Sequence, residues 1–426
     1  MKPATPFFAG LVALTAWACT ARNDLLLSTP PAPVPADLGG PTTVRDRSRA
    51  AFSHPVANLG VEDRPAFEVG DSFFNQNWVV APASTTARDG LGPLFNARSC
   101  SGCHSRDGRA DPYPDGAPGD ALLLRLSVPG GPSAGAPVPD PIYGGQFNHR
   151  AVPGFPAEGS VQVAWTEHPG TYADGTPYVL VRPTFTLADP AYGPPAADLL
   201  TSPRIAPQMI GLGLLESVLE ADILARADPD DADGDGISGR PNWVDDLATG
   251  GKALGRFGWK ANQPSIRQQV AGAFQGDLGI TSPVMPDENH TPAQAATGLG
   301  DLPDGGKPEL DERALQRVTF YSQHLAVPAR REAEDPQVQR GSAVFHEIRC
   351  DACHVPTLRS GSQAVSPYLA DLTFHPFTDL LLHDLGPDLA DGRGDFAATG
   401  SEWRTPPLWG LGLIETVNGH LRLLHD

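Results

Sequence analysis

Two short segments carry the residue types and spacing that redox chemistry needs: Cys100-Ser101-Gly102-Cys103-His104 and Cys350-Asp351-Ala352-Cys353-His354. In each, two thiols three residues apart on one helical turn can add to the vinyl groups of a haem. The His that follows can then turn its imidazole onto the iron as the proximal ligand. Other uses of a Cys pair fit less well. A zinc site pairs its CxxC units about 15–20 residues apart, whereas these begin at Cys100 and Cys350. A thioredoxin-like redox pair wants a βαβ context, which is missing. A disulfide within each CxxC would leave His104 and His354 without a role. The expectation is two covalently bound haem c groups, attached through Cys100, Cys103, Cys350 and Cys353, with iron ligated by His104 and His354.

A second pattern is Asp230, Asp231, Asp233 and Asp235 followed by Gly236. Oxygen ligands on alternate residues suit a hard cation, as in the first half of an EF-hand loop. Asn242 stands where the bidentate Glu of that loop would be. Asp231, Asp233 and Asp235 are therefore candidate calcium ligands, and a solvated acidic turn held by Asx-type hydrogen bonds is the alternative.

The elements that position these residues are constrained by composition. Gly 46 and Pro 45 imply long loops between short elements in a chain of 426 residues, while 40% hydrophobic residues suffice for a core. Acids outnumber bases 50 to 31, a net charge of -19. That balance disfavours nucleic acid and suits a basic partner such as a small electron-transfer protein. Residues 1–18 read as a signal peptide: Lys2, an apolar stretch from Phe7 to Trp17 too short to span a bilayer, and an Ala16-Trp17-Ala18 cleavage site. Cys19 follows, either a lipid-anchored lipoprotein cysteine or an incidental residue after ordinary cleavage. Residues 19–60 are expected to form a flexible tether, and the protein to lie in the periplasm or cell envelope.

Past each haem motif lies a related segment. Arg204-Ile205-Ala206-Pro207, running on to Gly211-Leu212-Gly213-Leu214, matches Arg404-Thr405-Pro406-Pro407, running on to Gly410-Leu411-Gly412-Leu413. The interval from motif to repeat is longer in the first half, so an insertion is expected at about 140–190, where GGQFNHR, VQVAWTEH and YVLVRPTFTL are strand-like. Together with GLGPLFNARSCSGCHSRDGR (90–109), DADGDGISGRPN (231–242), GRFGWKANQPSIRQQVAGAFQGDLGITS (255–282) and FTDLLLHDLGPDLADGR (377–393), these segments resemble the di-haem oxidoreductases. That peroxidase-like family, also called thiol oxidoreductases, is related to bacterial di-haem cytochrome c peroxidases and to MauG-type tryptophan-modifying enzymes. The resemblance runs from about residue 65 to the end.

The resemblance implies that one haem reacts with hydrogen peroxide or another small oxidant while the other relays electrons. It implies Gln269 and Asp277 as catalytic residues of the first haem's distal pocket and Trp259 as an electron path between the haems. The spacing and the Asp depart from the relatives' pattern. The plain alternative makes Trp259 a core residue, Gln269 a polar helix position and Asp277 a turn cap. Glu216 is the alternative acid. For a sixth ligand to the second haem the resemblance points beyond Asp426, so that domain reads as truncated. His375, His383, His420 and His425 are the later histidines, and a role in hydrogen bonding is the alternative for His383. Met209 and Met285 both precede the second motif. An interdomain calcium of the relatives is in doubt, because His420, Leu421 and Arg422 replace its residues.

The expected fold is mainly α. It has two cytochrome c-like haem domains, 61–325 with the partly β insertion and 326–426, joined by long loops, with helices such as Ser265–Phe274 and Glu309–His324. The expected function is a peroxidase-like di-haem oxidoreductase. The alternative is a di-haem electron carrier without peroxide chemistry, linked to metal uptake. A cysteine mechanism for thiol oxidation is excluded, since the four thiols besides Cys19 are committed to haem.

Overall fold

The computed structural model describes residues 34–422 apart from Ser133. The signal peptide, Cys19, the first part of the tether and His425 lie outside the described residues. Of the expected tether, residues 34–60 instead contribute Leu38, Phe52, Val56 and Leu59 to the buried core.

The fold is not mainly α: 24% of the chain is helical and 20% is strand, spread over several small sheets. The cause lies in the composition. Pro removes a backbone donor and Gly favours turns, so helical runs end early. Among the described residues four helices reach twelve residues or more: α1 (Arg64–Asn75), α2 (Ile266–Leu278), α3 (Glu312–Gln323) and α4 (Pro336–Glu347). Their ends are set locally. The Ser265 hydroxyl accepts from Gln268 N to start α2, and Gly279 ends it in the left-handed region at φ 69°. Asp311 accepts from Ala314 N to start α3. Both helices fall where the sequence led us to expect them, shifted by a few residues.

The insertion is the β-rich part. Strand β1 (Leu122–Ser127) is flanked antiparallel by β2 (Gln146–Phe147) and by a later strand, Leu200–Ile205. Between these lies a long hairpin of β3 (Ser160–Thr171) and β4 (Pro177–Ala188), paired from Ser160↔Ala188 to Thr171↔Pro177. The Leu200–Ile205 strand, β5, carries Arg204. A further sheet joins β6 (Gly239–Arg240), β7 (Leu382–Asp384) and β8 (Glu402–Arg404), so Arg404 also sits on a strand.

One apolar core runs from Leu38 through Phe274 and Tyr321 to Trp409 and Val417, drawing side chains from both halves of the chain. The two repeated segments meet inside it. Gly211 and Gly410 take the left-handed conformation, at φ 71° and 74°. A Cβ on Gly211 would strike Trp409, and one on Gly410 would strike Ile210. The repeat thus survives as a reciprocal contact that only glycine permits.

A similar constraint holds α1 against α3. At Gly70 a Cβ would overlap the Arg317 carbonyl and Tyr321 Cβ. Gly70→Ala is expected to destabilise the protein by about 1–3 kcal/mol through overpacking, even though Ala is the better helix former. Denaturant unfolding checks this, and an unchanged or raised midpoint would contradict the close approach.

Candidate functional site

The four cysteines and two histidines of the CxxCH motifs all line one cavity of about 630 Å³. The first motif forms a single turn, Cys100–Cys103, that breaks at His104. The second is a 3-10 turn, Cys350–Ala352, at the end of α4. The four thiols are not joined in disulfides. Each imidazole is fixed through its Nδ1: His104 donates to the Pro207 carbonyl at 2.7 Å and His354 to the Phe377 carbonyl at 2.9 Å. A carbonyl can only accept, so the neutral tautomer carries its lone pair on Nε2, the arrangement expected of a metal ligand. Burial lowers the pKa of His104, which keeps it in that neutral form. Burial also raises the Cys100 thiol to about 12.

Helix α2 forms one wall. Gln269, Ala273 and Asp277 stand four residues apart on one face, and all three line the cavity. Ala273, between the two polar side chains, leaves space. Asp277 is half-buried, and desolvation of its carboxyl holds it above the ordinary range, while Arg125 and a hydrogen bond from Gln146 Nε2 at 2.8 Å work against that shift. Gln146 sits on β2, so the insertion contributes directly to the placement of this acid. Trp259 lines the cavity between the repeats: its indole donates to Ile205 O at 2.7 Å, and its carbonyl accepts from Arg404 N at 2.8 Å.

Other expected residues fall elsewhere. Glu216 accepts from Ile266 N at 2.8 Å and from Gln323 Nε2 at 2.7 Å, so it secures the start of α2 and is outside the cavity wall. Met209 and His383 line the cavity, whereas Met285, His375 and His420 do not. His420 Nε2 instead bonds Arg109 O at 3.0 Å. His383 bonds Asp379 Oδ2 through Nε2 at 2.7 Å and faces Cys353 Sγ through Nδ1 at 3.6 Å. Burial lowers its pKa, but the Asp379 carboxylate and Cys353 together carry it up to about 10. With Nε2 on the Asp379 carboxylate and Nδ1 towards Cys353, this His is placed for hydrogen bonding. In the acidic loop, carboxylates of Asp228, Asp231 and Asp233 lie within 4.8 Å of one another. Asp235 is turned away and pairs with Arg349, the residue before Cys350.

The cavity wall is also cationic, which the motifs alone did not signal. Arg404 donates only to backbone carbonyls, Gly258 O at 2.9 Å and Thr405 O at 3.0 Å. Arg109 donates to Arg422 O and Gln208 Oε1, and its Nε has no partner. Arg204 Nη2 is also without a hydrogen bond, 3.7 Å from Asp391 and 3.9 Å from Asp395. Burial lowers Arg204 and Arg404 to about 10. Behind Arg204, fully buried Lys260 pairs with Asp391 at 3.0 Å and lies 4.5 Å from the centre of the Trp403 ring. Arg204 covers the same indole at 5.2 Å. Only the spacing of the repeated Arg-x-x-Pro hinted at Arg204 and Arg404.

A family profile described as "Di-haem oxidoreductase, putative peroxidase" matches residues 35–426. The chain belongs to the di-haem oxidoreductase family. No curated protein and no solved structure matches it significantly.

Membership implies haem cofactors, and the cavity suits them. Its apolar side chains match the faces of a porphyrin, and its two imidazoles present nitrogen ligands. The under-paired guanidinium groups of Arg109, Arg204 and Arg404 match the carboxylates that a haem carries. Their compensation depends on every partner being in place. Asp391→Ala would leave Lys260 buried without its carboxylate, and a loss of about 3–5 kcal/mol is expected in denaturant unfolding. A loss below about 1 kcal/mol, the scale of a surface pair, would show that the cluster is not desolvated.

Proposed function

We propose that this di-haem oxidoreductase is an exported peroxidase with two haems attached covalently, the first through Cys100, Cys103 and His104 and the second through Cys350, Cys353 and His354. The observation that carries the reading is the convergence of both motifs with Gln269 and Asp277 on one cavity. An electron carrier needs the motifs but no half-buried acid and amide facing the same cavity from one helix.

The haem supplies the iron at which peroxide binds and to which electrons are delivered. What the protein adds is proton handling and orientation. Asp277 would accept a proton from peroxide and pass it to the departing oxygen, and Gln269 would orient the peroxide by hydrogen bonding. Gln146 holds Asp277 Oδ1 in place. Trp259, fixed between Ile205 and Arg404, offers an electron path between the two motifs. The leader sequence supports action outside the cytoplasm, with Cys19 as a lipid anchor. The net charge of -19 suits a small basic redox protein as electron donor. A calcium ion at Asp228, Asp231 and Asp233 would be structural, bracing the loop that Asp235 ties to Arg349.

Asp277→Asn should lower the second-order rate with peroxide by about 10²–10⁴-fold while leaving haem content and the ferric spectrum unchanged. Because Asp277 acts as a base only when ionised and its pKa is raised, the wild-type rate should climb with pH through a midpoint above the ordinary carboxylate value of 3.8. That limb should vanish in the variant. Stopped-flow kinetics across pH decides the matter; an unchanged rate and profile would remove Asp277 from the reaction. Electron paramagnetic resonance on the half-reduced protein decides between enzyme and carrier. A high-spin ferric signal supports the peroxidase, and low-spin iron throughout favours the carrier.

A further inference from the structure

Behind the proximal side of the first motif lies a buried phenol that the peroxide reaction as described does not use. Tyr321, on α3, is wholly inaccessible and donates its hydroxyl to Asp107 Oδ1 at 2.6 Å. Asp107 is itself buried, three residues past His104, and forms no salt bridge among the described residues. Ser53 also bonds it. A second carboxylate, Asp71 on α1, borders the same phenol and is half-exposed. Leaving a carboxylate inside a core without a cation is costly, and a neutral acceptor would anchor a tyrosine equally well. The arrangement calls for another explanation than anchoring.

The ring is connected to the cavity. Its centroid is 5.2 Å from that of Phe74, which is 6.1 Å from the His104 imidazole. Phe67 covers another side at 4.7 Å. On the same helix as Tyr321, Val318 and Ser322 line the cavity, so the phenol is one side chain behind its wall. Burial and the two carboxylates together hold the phenol well above its ordinary pKa, so it stays protonated at every working pH.

We propose that Tyr321 is a redox-active tyrosine, giving one electron to the haem held at His104 after peroxide has oxidised it. This rests on the peroxide reading above. In this step the Tyr321 O–H bond breaks, the proton goes to Asp107 Oδ1, and the electron passes towards His104, leaving a neutral tyrosyl radical. Peroxide is the oxidant: its reduction to two waters takes two electrons and two protons, of which Tyr321 contributes one electron, a small redox-protein donor contributes the other by way of the second motif, and solvent supplies both protons. Phe67 and Phe74 keep water from the radical.

The test is freeze-quench electron paramagnetic resonance of the full holoprotein mixed with hydrogen peroxide, with the Soret band followed in parallel. Wild-type protein should give an organic radical whose hyperfine pattern collapses when its tyrosines are ring-deuterated. The signal should be lost in Tyr321→Phe, which keeps the ring packing, and reduced roughly tenfold in Asp107→Asn, which keeps an acceptor but removes the base. A Soret change without a tyrosyl signal, or the same signal in Tyr321→Phe, would overturn the proposal and leave the peroxidase standing. No Soret change at all would overturn the peroxidase reading and this proposal with it. Should Tyr321→Phe fail to load haem, the deuterated wild type and Asp107→Asn carry the test, and a signal untouched by either would overturn it.

Discussion

Cationic groups buried around a large cavity set the terms for the rest of this protein. Arg109, Arg204 and Arg404 face the cavity with backbone carbonyls, an amide or distant carboxylates for company, and Lys260 is sealed behind them with Asp391. Each such ion costs several kcal/mol to desolvate unless an anion answers it. Apolar packing alone would favour replacing them. Their placement makes sense when the cavity receives an anionic, flat and largely apolar group, and the two imidazoles on its wall say where the iron of that group would stand. The cations also explain why the halves of the chain must fold together. Arg204 and Arg404 come from the two copies of the repeat, and Lys260 reaches across to Asp391.

The repeat organises the centre of the site as well. Trp259 is held by one copy through its indole nitrogen and by the other through its carbonyl. Gly211 and Gly410 let the two copies interlock, with Trp409 against the first glycine and Ile210 against the second. A residue clamped in this way is oriented by both halves at once, which is what an electron path between two centres needs. The insertion takes part too. Gln146 comes from its short strand β2 and fixes the acid on α2, so the β-rich excursion serves the cavity and is more than surface decoration.

The parts of this structure legible in the sequence are those set by local spacing. The CxxCH turns follow from five residues each. Helix α2 follows from a Ser cap, an amphipathic run and a terminal Gly, and it carries Gln269 and Asp277 to the same face because they are eight residues apart. The strand-like runs of the insertion appear as a hairpin and short strands. The expectation of a mainly α fold failed because it carried an architecture over by resemblance, while Gly and Pro at about a fifth of the chain cut helices short and left small sheets between them. Glu216 could not be told from a catalytic acid by sequence, since its role in holding the start of α2 depends on Gln323, far along the chain. The cationic wall was illegible for the same reason: nothing local to Arg109 or Arg404 reveals that their partners are carbonyls.

The central claim is that one cavity holds two haems attached through the paired thiols of Cys100 and Cys103 and of Cys350 and Cys353. Intact mass spectrometry of the protein secreted from a host competent in cytochrome c maturation, after full denaturation, tests it directly. A mass raised by two haems, falling by one in Cys100→Ala/Cys103→Ala and by one in Cys350→Ala/Cys353→Ala, is the predicted result. Haem that leaves on denaturation, or a single haem retained whichever motif is removed, would contradict it.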